Sequence, residues 1–124
     1  MAQSTPIRPV VLVVEDEPLL RIDAVDIIED AGFEVVEAGN AREALDILNS
    51  RSDIRIVFTD VSMPGSLDGL RLALAIRERW PPIDLIITSG QVVPGAHEIP
   101  PRGRFIAKPF EPEHLVATLR SFVH

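Results

Sequence analysis

IVFTDVSMPG, residues 56–65, is an apolar run that ends in one carboxylate, Asp60, before the chain breaks at Pro-Gly. Val, Ile and Phe followed by Pro-Gly predict a buried strand that ends in a loop. Asp60 therefore stands where a sheet stops and the backbone turns away. A single Asp at such a position is more often a turn or capping residue than a functional one. Its interpretation depends on what the other strands bring to the same edge.

The composition is that of an ordinary globular protein with an excess of acidic residues. The 124 residues are enough for one domain with a buried core, and 46% of them are hydrophobic. The 19 acidic and 12 basic residues give a net charge of −7, which disfavours binding to nucleic acid or to an anionic membrane. No cysteine is present, so disulfides, thiolate catalysis and cysteine metal sites are excluded.

The first eight residues lack the apolar core of a signal peptide, and residues 1–8 are predicted to form a flexible tail. No apolar run approaches membrane-spanning length. We expect a single domain over residues 1–124, without an output domain and in the cytoplasm.

Five predicted strands alternate with helices along the chain. Apolar and β-branched runs predict strands over residues 10–14, 33–38, 54–59, 84–88 and 104–107. Helical periodicity predicts helices over residues 20–31, 41–48, 70–80 and 112–122. Residues 91–103 are crowded with proline and glycine, so the fourth of five expected helices is predicted to be short or irregular.

This alternation predicts an α/β fold in which helices cover both faces of a doubly wound parallel sheet. Ligands of such sheets bind beyond the carboxyl ends of the strands. Four of the five predicted strands deliver polar side chains to that edge, namely Glu15 and Asp16, Asp60, Ser89, and Lys108. Because chance would supply one or two such strands rather than four, we interpret this edge as a site.

Three carboxylates at one edge repel each other, and one lysine offsets that repulsion only in part. A divalent cation would resolve the conflict, and an all-oxygen ligand set favours Mg²⁺, or Mn²⁺, over zinc. Mg²⁺ leaves coordination positions open for phosphate oxygens, so the site fits a phosphoryl group. Asp60 is the predicted nucleophile because a carboxylate can form an aspartyl phosphate, and Ser89 and Lys108 would hold the phosphoryl oxygens.

In these motifs the chain resembles the receiver domain of two-component response regulators, over about residues 9–122. The motifs are Glu15-Asp16, Asp60 followed by Met63-Pro64, Asp68-Gly69, Ser89-Gly90 and Lys108-Pro109-Phe110. Each motif is weak alone, but their order and spacing together are specific. The resemblance implies a flavodoxin-like (βα)5 fold whose five-stranded sheet has the strand order 2-1-3-4-5.

The resemblance also implies roles for the residues at the predicted edge. Glu15, Asp16 and Asp60 would hold Mg²⁺, and the backbone carbonyl of Ser62 would complete the metal site. Asp60 would accept a phosphoryl group from a histidine kinase or a histidine phosphotransfer protein, and Lys108 would contact the phosphate. The domain would catalyse only its own phosphorylation and dephosphorylation, and its downstream partner protein is not identified by the sequence.

A switch is implied at two further positions. Ser89, rather than the neighbouring Thr88, would occupy the Ser/Thr switch position, and Phe105 would be the switch aromatic. A phosphoryl group adds about −1.5 to −2 charge and three acceptor oxygens. Drawing Ser89 toward one of those oxygens would free space into which Phe105 could rotate. The alternative for Phe105 is a plain core residue.

The sequence departs from the family pattern in two places. Residues 63–69 carry one residue more than the usual spacing, and the eroded fourth helix leads us to favour a monomer over the usual dimer. Two alternative functions stay open: a degenerate receiver that binds partners without phosphorylation, and a Mg²⁺-dependent phosphatase or nuclease. The enzymes would need an Asp-x-Asp pair after a strand, which is absent here. A dinucleotide site would need a Gly-rich turn after the first strand, where acids stand instead.

Overall fold

The computed structural model of the chain describes residues 8–61, 69–90 and 99–123. The elements are β1 (Val10–Val14), α1 (Pro18–Asp30), β2 (Glu34–Ala38), α2 (Ala41–Ser50), β3 (Ile54–Asp60), α3 (Gly69–Arg79), β4 (Asp84–Ser89), β5 (Gly103–Ala107) and α4 (Pro112–Ser121). In the described residues, strands and helices alternate as predicted from β1 to β4, and β5 and the last helix complete the series. Each predicted strand is present to within one residue at either end.

The five strands form one parallel sheet in the order β2-β1-β3-β4-β5, which confirms the predicted fold class and strand order. The chain order reverses at β1, between β2 and β3. The register brings the strand ends to one level, because Val14 pairs with Thr59, Asp60 pairs with Thr88, and Ser89 pairs with Ala107. The residues that follow the strands therefore share one edge.

Alternate residues of each strand enter two separate cores, one on each face of the sheet. In β1, Val11 and Val13 pack in the core covered by α1 and α4, whereas Leu12 packs in the core covered by α2 and α3. All five side chains of β1 are buried, which explains why its sequence is an unbroken apolar run. β2 lies at the edge of the sheet and is only partly buried, and two glutamates interrupt its apolar residues.

Local signals set the helix ends that flank the sheet edge. Gly32 follows α1 with φ +99° and helps to end the helix, because glycine enters this region without steric cost. The Asn40 side chain accepts a hydrogen bond from the Glu43 N–H at 2.8 Å and caps the N-terminus of α2. The Glu43 carboxylate reaches back one residue further than a capping box does, to the Gly39 N–H at 2.6 Å.

Three sequence predictions fall wholly or largely on residues that the structure does not describe. They are the flexible tail over residues 1–8, the lengthened loop over residues 63–69 and the short or irregular helix expected between β4 and β5, over residues 91–103. The described end of the last segment is a turn in which the Gly103 N–H donates to the Pro100 carbonyl at 3.0 Å. Among the described helices, none has the length and apolar character needed to cross a membrane.

Candidate functional site

The carboxylates of Glu15, Asp16 and Asp60 come together at the carboxyl edge of the sheet. Glu15 directly follows β1, and Asp60 is the last residue of β3, the neighbouring strand. One carboxylate oxygen from each of the three acids lies within 4.8 Å of those of the other two. Glu15 and Asp60 are 6% and 5% exposed, whereas Asp16 is exposed. The sheet register thus produces the predicted acidic cluster.

Lys108 reaches this cluster from the end of β5. Its Nζ donates to Asp60 Oδ2 at 2.6 Å and to Glu15 Oε1 at 3.1 Å. The Lys108 backbone N–H donates to the Ser89 carbonyl at 3.0 Å, which extends the β4–β5 ladder and fixes where the lysine leaves the sheet. One ammonium group therefore bridges two buried carboxylates that come from different strands.

The pKa values of Glu15 and Lys108 reflect both their burial and their contact with each other. Burial raises the pKa of Glu15, and the Glu17 N–H and Lys108 counter that effect only in part. Burial lowers the pKa of Lys108, but its hydrogen bonds to Asp60 and Glu15 outweigh burial and raise it overall. Lys108 is thus held firmly in its charged form, while the charged form of Glu15 is not fully compensated. The cluster is short of positive charge.

A hard divalent cation fits this arrangement. All three acids supply oxygen donors, and two of them are buried beside a single lysine, so a further positive charge would offset the remaining repulsion. Asp16, the exposed member, makes no hydrogen bond or ion pair with any residue in the described part of the chain and is available as a ligand. Ser62, whose backbone carbonyl was predicted to complete the metal site, lies outside the described residues.

Ser89 ends β4 at the same edge and is 2% exposed. Strand residues two apart share a face, so Ser89 lies on the face of Ile87, which pairs with Phe105 of β5. Phe105 is half-buried and packs against the core on the α2 and α3 face. The structure thus places the two predicted switch residues on one face of neighbouring strands. Thr88 points to the opposite face, and its buried hydroxyl has no hydrogen-bond partner among the described residues.

Two residues that support the acidic cluster were given no role by the sequence reasoning. Gly69, the first residue of α3, is buried against the backbone of Asp60, where a Cβ atom would lie 2.5 Å from the Asp60 carbonyl oxygen. Arg21 of α1 donates from Nη1 to the Glu15 carbonyl at 2.9 Å. The Asp68-Gly69 motif gave a signal for the glycine, but nothing in the local pattern around Arg21 points to its contact.

A cavity of about 540 Å³ adjoins the charged cluster between α1 and the segment after β5. Glu15 and Lys108 line one end of it, and Leu20, Phe58 and Phe110 contribute apolar surface. Phe58 and Phe110 make an edge-to-face contact with ring centroids 6.0 Å apart. The cluster is therefore open to an approaching group from the α1 side of the sheet.

Comparison with known proteins agrees with this architecture. The family model of the response regulator receiver domain matches residues 11–120. A crystal structure of a response regulator receiver protein from Sinorhizobium medicae matches the fold with a TM-score of 0.87 at 27% identity, covering 93% of this chain and 94% of that chain.

Two curated relatives match over most of the chain. The hydrogenase transcriptional regulatory protein HoxA of Cupriavidus necator is 36% identical over an alignment of 118 residues, which covers 91% of this chain and 24% of HoxA. The sensor kinase CckA of Brucella abortus is 33% identical over an alignment of 117 residues, which covers 91% of this chain and 12% of the kinase. The chain thus spans a quarter or less of the length of these relatives.

Proposed function

The chain belongs to the response regulator receiver domain family, and we propose that it is a phosphoacceptor switch in which Asp60 accepts the phosphoryl group. The observation that carries the proposal is the placement of the Asp60 carboxylate. It is 5% exposed, lies within 4.8 Å of two other carboxylates and accepts a 2.6 Å hydrogen bond from Lys108. A carboxylate held among charged groups in this way has a fixed direction of attack, which is the main requirement of phosphoryl transfer.

The proposed donor is a histidine kinase or a histidine phosphotransfer protein that carries a phosphohistidine. An Asp60 oxygen forms a bond to phosphorus while the bond from phosphorus to the donor imidazole nitrogen breaks. The imidazole nitrogen leaves with the electron pair of that bond and takes up a proton. Asp60 gains one phosphoryl group, and the donor returns to histidine. The domain acts on no other substrate, and the water that later hydrolyses the aspartyl phosphate restores the carboxylate.

Glu15, Asp16 and Asp60, with the backbone carbonyl of Ser62, are the proposed ligands of Mg²⁺, and Mn²⁺ would suit the same oxygens. When bound, the ion supplies positive charge to the oxygens of the transferring group. Lys108 adds a second positive charge to those oxygens, since its ammonium group already lies 2.6 Å from Asp60. The carboxylate, the lysine and the acidic pair together support a phosphorylated receiver over a degenerate one.

The phosphoryl group would signal through Ser89 and Phe105. Both residues lie on the face covered by α2 and α3, and Phe105 is only half-buried. Movement of Ser89 toward a phosphoryl oxygen would change the packing beside β5 and alter the surface presented to a downstream protein. In this proposal the phosphoryl transfer takes place in the cytoplasm, and the chain acts as a monomer that binds neither nucleic acid nor membrane.

Intact-mass spectrometry after incubation with acetyl phosphate and Mg²⁺ tests the proposal. Wild type should gain one phosphoryl group when Mg²⁺ is present and none when EDTA replaces it. Asp60→Asn should gain none under either condition, whereas Asp84→Asn, which changes a buried acid at the opposite edge of the sheet, should react like wild type. An adduct that survives in Asp60→Asn would contradict the assignment. If acetyl phosphate leaves wild type unmodified, failure to bind beryllofluoride with Mg²⁺ would contradict it as well.

A further inference from the structure

Arg21 of α1 contacts both the start of the segment that follows β1, at Glu15, and the neighbouring strand β2, at Glu37. Its Nη1 donates to the backbone carbonyl of Glu15 at 2.9 Å, and its Nε donates to Glu37 Oε1 on β2 at 3.2 Å. The Arg21 side chain is 25% exposed, so the guanidinium is partly withdrawn from solvent. A planar group with two bonds in different directions has a fixed orientation.

The turn after β2 leaves room for this guanidinium. A Cβ atom on Gly39 would lie 3.2 Å from Arg21 Nη1, so the absence of a side chain lets the two groups approach closely. The Gly39 N–H is held in turn by Glu43 at 2.6 Å, which ties the turn to the start of α2. Arg21 is therefore held by defined contacts and is not a freely solvated helix residue.

The Arg21 contact completes a set of bonds that fixes Glu15. The Glu15 N–H donates to the Ala38 carbonyl at 3.1 Å, its Oε2 accepts from the Glu17 N–H, and its Oε1 accepts from Lys108. The bond from Arg21 adds the Glu15 carbonyl to this set. That carbonyl belongs to the peptide group that joins Glu15 to Asp16. The bond from Arg21 therefore fixes the orientation of the peptide group that precedes Asp16.

Asp16 has no such support of its own. It is exposed, and no hydrogen bond or ion pair to another residue of the described ranges holds its carboxylate. Its direction toward Glu15 and Asp60 therefore depends on the preceding peptide group. Groups that orient metal ligands from behind change metal affinity about 10–100-fold when removed.

We infer that Arg21 is a positioning residue for the divalent-cation site, acting through the Glu15–Asp16 peptide rather than by contact with the ion. This inference rests on the proposed function, because it requires that the acidic cluster binds Mg²⁺. Removing the guanidinium should weaken Mg²⁺ binding about tenfold while leaving the three acids in place.

Isothermal titration calorimetry with MgCl₂ tests the inference, together with urea unfolding in EDTA. Arg21→Ala should raise the Mg²⁺ dissociation constant about tenfold. Arg21→Lys should raise it less, because an ammonium group can still donate hydrogen bonds but lacks the fixed planar geometry of the guanidinium. Arg51→Ala is the matched control. Arg51 also bridges two acids, Asp53 at 2.7 Å and Glu34 at 3.6 Å, but Glu34 begins β2, at the far edge of the sheet.

Several outcomes separate the positioning role from a merely structural one. A Mg²⁺ dissociation constant in folded Arg21→Ala within about twofold of wild type would overturn the inference, whatever happens to stability in EDTA. An equal weakening in Arg51→Ala would overturn it too. If Arg21→Ala does not fold, Glu37→Gln carries the test, since it loosens the anchor of Arg21 and should weaken Mg²⁺ binding in the same direction. Absence of Mg²⁺ binding by wild type would instead contradict the proposed function.

Discussion

Gly69→Ala is expected to displace the proposed phosphoacceptor itself. Gly69 begins α3 and is buried against the end of β3, so an alanine Cβ would lie 2.5 Å from both the Asp60 carbonyl oxygen and the Val61 Cα atom. Real Cβ atoms do not approach other atoms closer than about 3.0 Å, so α3 and the Asp60 backbone must separate by about 0.5 Å. Both contacts are backbone atoms, which cannot turn away as a flexible side chain can.

The shift has a cost in stability and a cost in rate. Overpacking of this kind lowers the free energy of unfolding by about 1–3 kcal/mol. The higher helix propensity of alanine than of glycine offsets about 1 kcal/mol or less of this loss. A net loss of about 1–2 kcal/mol would lower the melting temperature by about 4–8 °C for a domain of this size. A misplacement of about 1 Å can cost about 100-fold in rate, so a shift of half that size should slow phosphorylation by acetyl phosphate about tenfold.

Gly90→Ala is the matched control for Gly69→Ala. Gly90 also adjoins the site, but its Cβ would lie 3.5 Å from the Lys108 Cβ atom, which is an ordinary contact distance. We expect its stability to stay within about 0.5 kcal/mol of wild type. Thermal melts and the rate of adduct formation by intact mass compare the two variants. Equal stability and equal rate for Gly69→Ala and Gly90→Ala would refute the reasoning.

Two further predictions concern charge and strain. Lys108→Ala leaves Glu15 and Asp60 without their ammonium partner, so it should lower the free energy of unfolding by about 1–3 kcal/mol in EDTA. In urea melts, Mg²⁺ should recover more stability in this variant than in wild type, and equal recovery would contradict the account. Arg102 adopts φ +65°, held by an ion pair to buried Asp84 at 3.1 Å. Arg102→Gly and Arg102→Ala both lose this pair, but only glycine relieves the backbone strain, so Arg102→Gly should be the more stable by about 1 kcal/mol. Equal urea midpoints would show that the backbone at this position is unstrained.

The sequence was sufficient for the fold because the local patterns agree with one another. Strands buried on both faces require apolar runs, and all of β1 and residues 56–58 of β3 provide them. The runs end at Val14 and Phe58, where polar residues take over at the carboxyl ends of the strands, so the position of Asp60 at the sheet edge could be predicted from the sequence alone. The edge strand β2 has a weaker pattern because half of its surface meets solvent. Its first residue was accordingly misplaced by one.

The supporting contacts of the site could not be predicted in the same way. Arg21 stands in a helix, where an arginine is normally a solvated side chain, and its acceptors lie on the preceding loop and on β2. Gly69 matters because α3 passes close to Asp60, and sequence patterns do not give the distance between two elements. The choice of Ser89 over Thr88 rested on counting from the start of the predicted strand, whereas the sheet places the two residues on opposite faces.

The central claim is that the Asp60 carboxylate becomes an acyl phosphate, and borohydride trapping tests it directly. Borohydride reduces an aspartyl phosphate to homoserine, which marks the modified residue permanently. After incubation with acetyl phosphate and Mg²⁺, reduction and proteolysis, peptide mass spectrometry should find homoserine at position 60 and not in the EDTA control. Reduction at Glu15 or Asp16, or a phosphorylated protein in which Asp60 stays unreduced, would contradict the account.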